Sequence, residues 1–155
     1  MSSGATAGQP IWFGFVGAGP WAQYYHAPLL STGPETRLDV VWARRREQAE
    51  GLAAEFGCRA VMSVDELLDS CEAVAFAVPP DVQARLAPLA ARTGKHLLIE
   101  KPVGFTLEQG EALAEALNES GVVNMLMLKP VLRVERRVHP RSVGTGTERQ
   151  RPHGK

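Results

Sequence analysis

The stretch Ile11-Trp-Phe-Gly-Phe-Val-Gly-Ala-Gly-Pro-Trp-Ala22 decides the fold that the rest of the chain follows. Its first six residues are rich in β-branched and aromatic side chains, which predicts a strand. Three small residues, Gly17, Gly19 and Ala22, then occupy the spaced positions of G-x-G-x-x-A, and an amphipathic pattern begins at Trp21. The order of strand, glycine turn and helix is typical of a turn that binds a dinucleotide.

Each small residue of this turn has a physical task in such a site. Gly17 permits backbone angles that a Cβ would block, and Gly19 lets the main chain approach a diphosphate closely. Ala22 keeps the helix near the strand. Pro20 fits the first helical position, where its missing N–H costs nothing, and the helix start offers unpaired N–H groups to an anion. A glycine turn without a ligand is the alternative interpretation of the same pattern.

The length and composition predict one globular domain with an ordinary apolar content. The chain has 155 residues and no apolar run near the roughly 20 residues that a spanning helix needs. Cys58 and Cys71 have no metal-ligand spacing, so we expect reduced thiols and no metal. The leader, residues 1–9, is small and polar without a basic start, which predicts a disordered segment, no secretion signal and a cytoplasmic protein.

The formal net charge of zero hides two unlike segments. Residues 1–128 carry nine Lys and Arg against fifteen Asp and Glu, a net charge of −6, and residues 129–155 carry eight against two, a net charge of +6. The second segment also lacks apolar periodicity and is dense in Arg, Pro, Gly and Thr. It cannot bury enough surface to offset its ordering entropy, so we expect residues 129–155 to be disordered or poorly packed.

Between these ends the chain alternates strand and helix patterns six times. The predicted strands are Ile11–Val16, Arg37–Ala43, Arg59–Met62, Ala73–Val78, His96–Ile99 and Val122–Leu128. The predicted helices are Trp21–Leu30, Arg44–Phe56, a short helix that a Ser63 and Glu66 capping box opens, a helix from an Asp81 cap to Arg92, and a helix from a Thr106 and Gln109 capping box to Gly121. Alternation of this kind predicts an α/β fold, a doubly wound parallel sheet in the order 3-2-1-4-5-6. Ligands bind such sheets at the carboxyl ends of the strands.

The end of the second predicted strand carries arginines in place of the usual acid. In an NAD site an acidic residue there accepts the ribose 2′-hydroxyl, whereas a guanidinium can hold a 2′-phosphate. Arg44 and Arg45 therefore favour NADP over NAD as the cofactor. A solvated start of the second helix is an equally open interpretation of the two arginines.

Two further strand ends carry residues of chemical interest. Val78-Pro79-Pro80 stops the fourth strand where its backbone would pass a nicotinamide, although proline here is also a simple strand terminator. Glu100-Lys101-Pro102 follows the fifth strand, and a Glu–Lys pair at a buried strand end is costly unless it is used or well paired. Lys101 can donate to a substrate oxygen, and a surface ion pair at the loop entry is the alternative.

Three motifs together carry a family resemblance. Gly17-Ala-Gly-Pro-Trp-Ala22, Ala77-Val-Pro-Pro80 and Gly94-Lys-His-Leu-Leu-Ile-Glu-Lys-Pro102 occur in this order at fitting separations. In this combination the chain resembles the nucleotide-binding half of the glucose–fructose oxidoreductase, inositol dehydrogenase and MocA family. The resemblance covers the predicted Rossmann domain, residues 10–128, and its most specific piece is the Glu-Lys-Pro turn.

The resemblance implies reversible hydride transfer between a nicotinamide cofactor, NADP or NAD, and a secondary alcohol of a sugar or cyclitol. Lys101 would be the catalytic residue that polarises or deprotonates the reacting hydroxyl. The cofactor-binding residues would be Gly17, Gly19, Pro20, Trp21, Arg44, Arg45, Val78, Pro79, Pro80, Glu100 and Lys101. The family often has a histidine where this chain has Gln83, which cannot carry a proton at neutral pH. His26 in the first helix is expected to be structural or to lie at the cofactor's edge.

Members of this family continue into a second α/β domain that supplies substrate contacts, a catalytic histidine and the homo-oligomer interface. The chain has no such pattern after Leu128, so we expect it to be inactive alone, with a non-catalytic nucleotide-binding or scaffold module as the alternative. The basic segment 129–155 has three interpretations: a polyanion-binding arm, a linker to a partner chain, or a non-native read-through. We favour the last, because the pattern stops where the second domain would begin, and no aromatic residue interleaves the arginines as nucleic-acid binding would favour.

Overall fold

Residues 8–128, the part of the chain that the computed structural model describes, form a six-stranded sheet with helices on both faces. The strands are β1 Ile11–Val16, β2 Thr36–Trp42, β3 Arg59–Ala60, β4 Ala73–Phe76, β5 His96–Glu100 and β6 Asn124–Met127. The helices are a π-helical turn Ala22–His26, α1 Ala27–Thr32, α2 Arg46–Phe56, α3 Val64–Asp69, α4 Pro80–Arg92 and α5 Leu107–Ser120. The predictions for residues 1–7 of the leader and for the whole segment 129–155 lie outside the described residues.

The strand order confirms the predicted topology. The sheet runs β3-β2-β1-β4-β5-β6, and every neighbouring pair is parallel. The predicted fold class, a doubly wound Rossmann sheet, is therefore correct. Because all six strands point the same way, the turns that follow β1, β2, β4 and β5 meet at one edge, which we call the carboxyl edge.

The core consists of two apolar layers, one on each face of the sheet. Consecutive residues of a strand face opposite layers, as Phe15 and Val16 do in β1. One layer packs against α1 and α2, and the other packs against α3, α4 and α5. All four residues of β4 are buried, which confirms the expectation of a strand covered on both faces.

The two predicted capping boxes differ in how completely they form. Thr106 and Gln109 form the predicted reciprocal capping box at the start of α5. At α3, Ser63 Oγ accepts the backbone N–H of Glu66 at 3.1 Å, but the Glu66 carboxylate accepts from Met62 N–H at 3.0 Å. The capping box of Ser63 and Glu66 is therefore only half formed, because the Glu66 carboxylate accepts from the N–H of Met62 and not from the N–H of Ser63.

Several predicted boundaries are wrong by a few residues. The third strand is only two residues long, the fourth ends at Phe76, and α2 begins at Arg46, with Arg45 at its N-cap. Asp81 does not cap the fourth helix: Pro79 occupies the N-cap, and Asp81 lies in the first turn. Proline at the first helical position has no N–H to be capped, so α4 can begin earlier than the Asp81 signal indicates.

The predicted first helix starts as expected but is not uniformly α-helical. Residues Ala22–His26 form a π-helical turn, in which the N–H of Ala27 bonds to the carbonyl of Ala22. Pro28 follows at once, and its ring would clash with the carbonyl four residues earlier in a regular α-helix. The wider turn relieves that conflict, and π-helical turns are frequent at functional sites.

Candidate functional site

The glycine turn after β1 is held tightly between the two neighbouring strands. Gly17 N–H donates to the carbonyl of Trp42 at 2.8 Å, and its φ of +119° is one that residues with a Cβ rarely adopt. A Cβ added to Gly17 would lie 2.4 Å from the carbonyl oxygen of Ala77. The turn therefore requires glycine at this position for its backbone angle and for the approach of β4.

The space around Gly19 is different. A Cβ built on Gly19 would meet no atom within 4 Å, so this backbone faces open space. Gln23 N–H donates to the Gly19 carbonyl at 3.1 Å, which makes Pro20 the first helical residue, as predicted. The N–H groups of the first turn have no acceptor within the helix and are suited to an anion.

A cavity of about 340 Å³ opens beside this turn, between the ends of β2 and β4, and we call it the arginine cavity. It is lined by Gly17, Ala18, Gly19, Trp42, Ala43, Arg44, Arg45, Gln48, Ala77, Val78, Pro79, Val82 and Arg85. Three guanidinium groups face one cavity, and none of the described lining residues is an acid. All three arginines are exposed, and within residues 8–128 none of them is part of an ion pair. This surface is suited to a ligand with at least one phosphate.

The three arginines at the end of β2 differ in their contacts. Arg44 and Arg45 precede α2 and line the cavity, whereas Arg46 is the first residue of the helix and pairs with Glu50 at 2.5 Å. Arg44 and Arg45 are also exposed at the start of α2, so the solvated helix start stays open for them beside ligand binding. Arg44 and Arg45 stay available to a ligand.

A second cavity, of about 440 Å³, lies on the other side of the β4 turn, and we call it the lysine cavity. It is lined by Gly19, Pro20, Trp21, Ala77, Val78, Pro79, Glu100 and Lys101. The structure thus brings ten of the eleven predicted site residues to the two cavities. Pro80 lines neither, because it already belongs to the first turn of α4.

The predicted Glu–Lys pair is not an ion pair in the structure. Lys101 is exposed, and it bonds to Glu100 through its backbone N–H, which donates to Oε2 at 3.2 Å. The Glu100 carboxylate instead takes two donors at Oε1, the Trp21 indole N–H at 2.9 Å and His26 Nε2 at 2.7 Å. The carboxylate is therefore paired by the first helix, and the lysine side chain is left to the cavity.

His26 is a fully buried residue at the end of the π-helical turn. A carboxylate oxygen is an acceptor, so Nε2 carries the proton in the contact with Glu100. The other ring nitrogen, Nδ1, is buried and has no hydrogen-bond partner in the described residues. An unpaired buried polar atom costs about 1–3 kcal/mol, so an apolar side chain here would be favoured if packing alone decided.

Gln83 holds the backbone of the same corner. Its Nε2 donates to the carbonyls of Glu100 at 2.7 Å and Pro102 at 3.2 Å, and its Oε1 accepts the N–H of Glu100 at 2.9 Å. Gln83 is 1% exposed, and the two carbonyls that it binds lie on either side of the cis peptide bond between Lys101 and Pro102. Gln83 therefore fixes the main chain at Lys101 and does not face a ligand.

Sequence reasoning did not identify Val82 and Arg85 in the arginine cavity, nor the contact of His26 with the lysine corner. Arg85 lies on α4, six residues after Pro79, and points to the arginine cavity together with Val82. The sequence did contain a signal for both residues. Val82 and Arg85 lie three and six positions after Pro79, so they share one face of the helix that follows the strand end. The bond between His26 and Glu100 joins residues 74 positions apart and had no signal in the sequence.

Residues 8–128 lack two features that would point to other functions. No group of three His, Cys, Asp or Glu side chains is arranged to hold a metal ion. No helix in this part of the chain is long and apolar enough to cross a membrane.

Comparison with known proteins agrees with the geometry. Residues 11–128 match the family profile of the glucose–fructose oxidoreductase, inositol dehydrogenase and MocA proteins, described as an oxidoreductase family with an NAD-binding Rossmann fold. The UDP-N-acetylglucosamine 3-dehydrogenase of Acidithiobacillus ferrooxidans is 31% identical over 88% of the chain and 42% of its own length. The glucose-6-phosphate 3-dehydrogenase of Bacillus subtilis is 32% identical over 70% of the chain and 31% of its own length.

A solved structure of similar fold carries a bound cofactor. The crystal structure of a 3-ketoreductase from Actinomadura kijaniata, in complex with TDP-benzene and NADP, superposes with a TM-score of 0.70 at 31% identity. The match covers 76% of this chain and 38% of the ketoreductase. The chain thus spans about two fifths or less of the length of these relatives. It belongs to the glucose–fructose oxidoreductase, inositol dehydrogenase and MocA oxidoreductase family.

Proposed function

We propose that this chain is the NADP-binding part of an oxidoreductase of its family, one that transfers hydride to or from a secondary alcohol carbon of a sugar-like substrate. The observation that carries the proposal is the arginine cavity. It joins the open glycine turn to three unpaired guanidinium groups without an acid among its described lining residues. That combination matches a dinucleotide diphosphate followed by an adenosine 2′-phosphate.

The donor set discriminates between the two nicotinamide cofactors. A carboxylate at the end of β2 would accept the ribose hydroxyl of NAD and repel a 2′-phosphate. Arg44 and Arg45 do the reverse, because each guanidinium can pair two N–H groups with phosphate oxygens. Arg85 approaches from α4, on the opposite wall of the cavity. We therefore expect NADP(H) to bind more tightly than NAD(H).

The lysine cavity offers the chemistry of the reaction. When bound, the nicotinamide supplies a hydride donor or acceptor at C4. Lys101 is the exposed cation of this cavity and would hydrogen-bond the substrate oxygen. In the reducing direction its ammonium gives a proton to the carbonyl oxygen, and in the oxidising direction its amine takes that proton back from the hydroxyl. Val78 and Pro79 line both cavities, so a cofactor spanning them would pass over the end of β4.

The relatives support a substrate class. Those named above are a UDP-N-acetylglucosamine 3-dehydrogenase, a glucose-6-phosphate 3-dehydrogenase and a 3-ketoreductase crystallised with a TDP compound. We propose a sugar, a sugar phosphate or a nucleotide sugar as the substrate. We also propose that the 155-residue chain alone does not turn over, because its described cavities supply a lysine but little to orient a second molecule, and orientation is a large share of the rate.

Titration of nicotinamide fluorescence with NADPH and NADH tests the cofactor assignment. The wild-type chain should bind NADPH at least about tenfold more tightly, a difference of roughly 1.4 kcal/mol. Arg44→Asp should reverse the preference, since a carboxylate there repels the 2′-phosphate and can accept the 2′-hydroxyl. Absence of binding by either cofactor at millimolar concentration would overturn the proposal. An unchanged cofactor preference in Arg44→Asp would show that Arg44 does not recognise the 2′-phosphate.

A binding module without turnover is the second candidate, and the arginine cavity favours it, since its cations and open glycine turn suit a bound dinucleotide whether or not a reaction follows. An assay with NADP and a panel of sugars, sugar phosphates and cyclitols tests whether the chain alone is catalytic. Turnover by the chain alone would show that the substrate needs no further protein surface. Cofactor binding without turnover is the result we expect.

A further inference from the structure

We propose that His26 is a positioning residue for Lys101: it holds the Glu100 carboxylate against the turn that follows the glycine loop and so fixes the corner that carries the lysine. The inference rests on the proposed function only for the role of Lys101. Its structural part, the link between His26 and the corner, stands on the contacts themselves.

The first argument is the cost of the histidine. Its ring is 0% exposed, packs at 5.9 Å from Phe15 and 5.2 Å from Tyr25, and leaves Nδ1 without a partner among the described residues. A leucine would fill such a position without that penalty. What a leucine cannot supply is the donor for Glu100 at 2.7 Å.

The second argument is how Glu100 is shared. Its Oε1 accepts from His26 and from Trp21, and its Oε2 accepts the N–H of Lys101. Its backbone is held separately by Gln83. The residue before Lys101 is therefore fixed at both its side chain and its main chain. The two fixations come from different elements, the π-helical turn and α4.

The third argument is what the link connects. His26 and Trp21 belong to the helical segment that begins at Pro20, directly after the loop that would hold the diphosphate. Glu100 ends β5 and precedes the candidate proton donor. Through one carboxylate, the phosphate loop and the lysine corner become a single hydrogen-bonded unit. A role in positioning predicts that loss of His26 changes the lysine cavity and leaves the arginine cavity intact.

The test uses His26→Leu, with His26→Gln as the conservative variant and Gln23→Leu as the matched control. The amide of His26→Gln can still donate to Glu100. Gln23 lies on the same π-helical turn but donates to Glu55 at 2.7 Å, away from both cavities. Melting temperatures show first whether each variant folds. If His26→Leu does not fold, the test compares His26→Gln with His26→Asn. The amide of asparagine is too short to reach the position that Nε2 occupies in the wild type.

The first measurement needs no cofactor. In the ¹H–¹⁵N spectrum, the Trp21 indole signal, assigned with Trp21→Phe, should shift in His26→Leu because it shares Oε1 with His26, and the Lys101 amide should shift as well. Both should stay near their wild-type positions in His26→Gln and Gln23→Leu. Unchanged Trp21 and Lys101 signals in His26→Leu would overturn the positioning role, whatever the cofactor does.

The second measurement reads the cofactor. NADPH affinity should stay within about threefold of wild type in His26→Leu, since the phosphate contacts lie in the arginine cavity. The emission maximum of the bound nicotinamide should move toward that of free NADPH, and His26→Gln should restore it. If His26→Leu lost NADPH affinity to the same degree as it lost the emission shift of the bound nicotinamide, His26 would have a general structural role. That result would contradict the proposal. If wild type binds no NADPH, the proposed function fails while the first measurement still decides the role of His26.

Discussion

The arginine cavity and the lysine cavity share the glycine turn and the end of β4, yet they are built in opposite ways. The side chains of Arg44, Arg45 and Arg85 are exposed and carry no ion pair within residues 8–128. The lysine corner, in contrast, is tied by buried His26 and buried Gln83. The difference matches two tasks. A phosphate can be held by cations that adjust to it, whereas hydride transfer needs a proton donor at a fixed place.

The glycine turn offers the largest effect, and it separates folding from binding. Gly17→Ala should lower the free energy of unfolding by about 3–5 kcal/mol, because φ is +119° and the new Cβ would lie 2.4 Å from the Ala77 carbonyl oxygen. Gly19→Ala is the matched control, since its Cβ meets nothing within 4 Å. Urea denaturation should find Gly19→Ala close to wild type in stability, with NADPH binding weakened at least about tenfold. Equal stability of both variants would contradict the account of the turn.

The backbone clamp of the lysine corner should come next in size. Gln83→Leu leaves the N–H of Glu100 and the carbonyl of Pro102 without their partner, so we expect a loss of about 2–3 kcal/mol in unfolding free energy. Gln23→Leu, which breaks only an exposed bond to Glu55, should cost less than about 0.5 kcal/mol. Urea denaturation measures both. A Gln83→Leu protein as stable as Gln23→Leu would show that the corner does not depend on the clamp.

The opposite wall of the arginine cavity gives a smaller effect. Arg85→Ala should weaken NADPH binding by about 1 kcal/mol and leave NADH almost unchanged, because only NADPH carries the 2′-phosphate. Arg92 lies seven residues later on the same helix face, outside the cavity, with an exposed and weak contact to Glu119 at 3.9 Å. Arg92→Ala should therefore leave both affinities unchanged. Equal losses for the two cofactors in Arg85→Ala would place Arg85 at another phosphate.

The two thiols lie away from both cavities, and the pH dependence that they give to stability is absent near neutral pH, so it bears least on the comparison of the two cavities. Burial raises the pKa of Cys58 and of Cys71 from 9.0 to about 11. The unfolded chain thus loses these protons first, so their contribution to stability is full below pH 9 and falls as the pH rises from 9 to 11. The urea midpoint of the wild type should fall as the pH rises across this range. The midpoint of Cys71→Ala should fall less steeply with pH. An identical slope in Cys71→Ala would remove Cys71 from the explanation.

The two cavities also differ in how far the sequence could predict them. The sheet order, the glycine turn and the arginines at the end of β2 follow from local patterns, because each depends on residues close together in the chain. The Thr106 and Gln109 capping box was predicted for the same reason. The corner was only half predicted: Glu-Lys-Pro marks it, but its supports come from residues 74 and 17 positions away. A pairing of that kind depends on which helix packs where, and the pattern of a strand does not contain it.

Two local patterns were not realised in the structure. The surface ion pair of Glu100 with Lys101, the alternative interpretation of this corner, does not form, because the first helix supplies donors to Glu100 and Lys101 remains exposed. Asp81 fits a capping pattern, yet Pro79 and Pro80 start the helix two residues earlier. At Glu100 the local pattern gave way to donors from a distant helix, and at Asp81 it gave way to the prolines just before it in the chain.

A crystal structure of this chain with NADPH tests the central claim most directly. The account predicts the diphosphate over Gly19, the adenosine 2′-phosphate among Arg44, Arg45 and Arg85, and the nicotinamide in the lysine cavity beside Lys101. A cofactor bound with its 2′-phosphate away from the three arginines, or with its nicotinamide outside the lysine cavity, would contradict it.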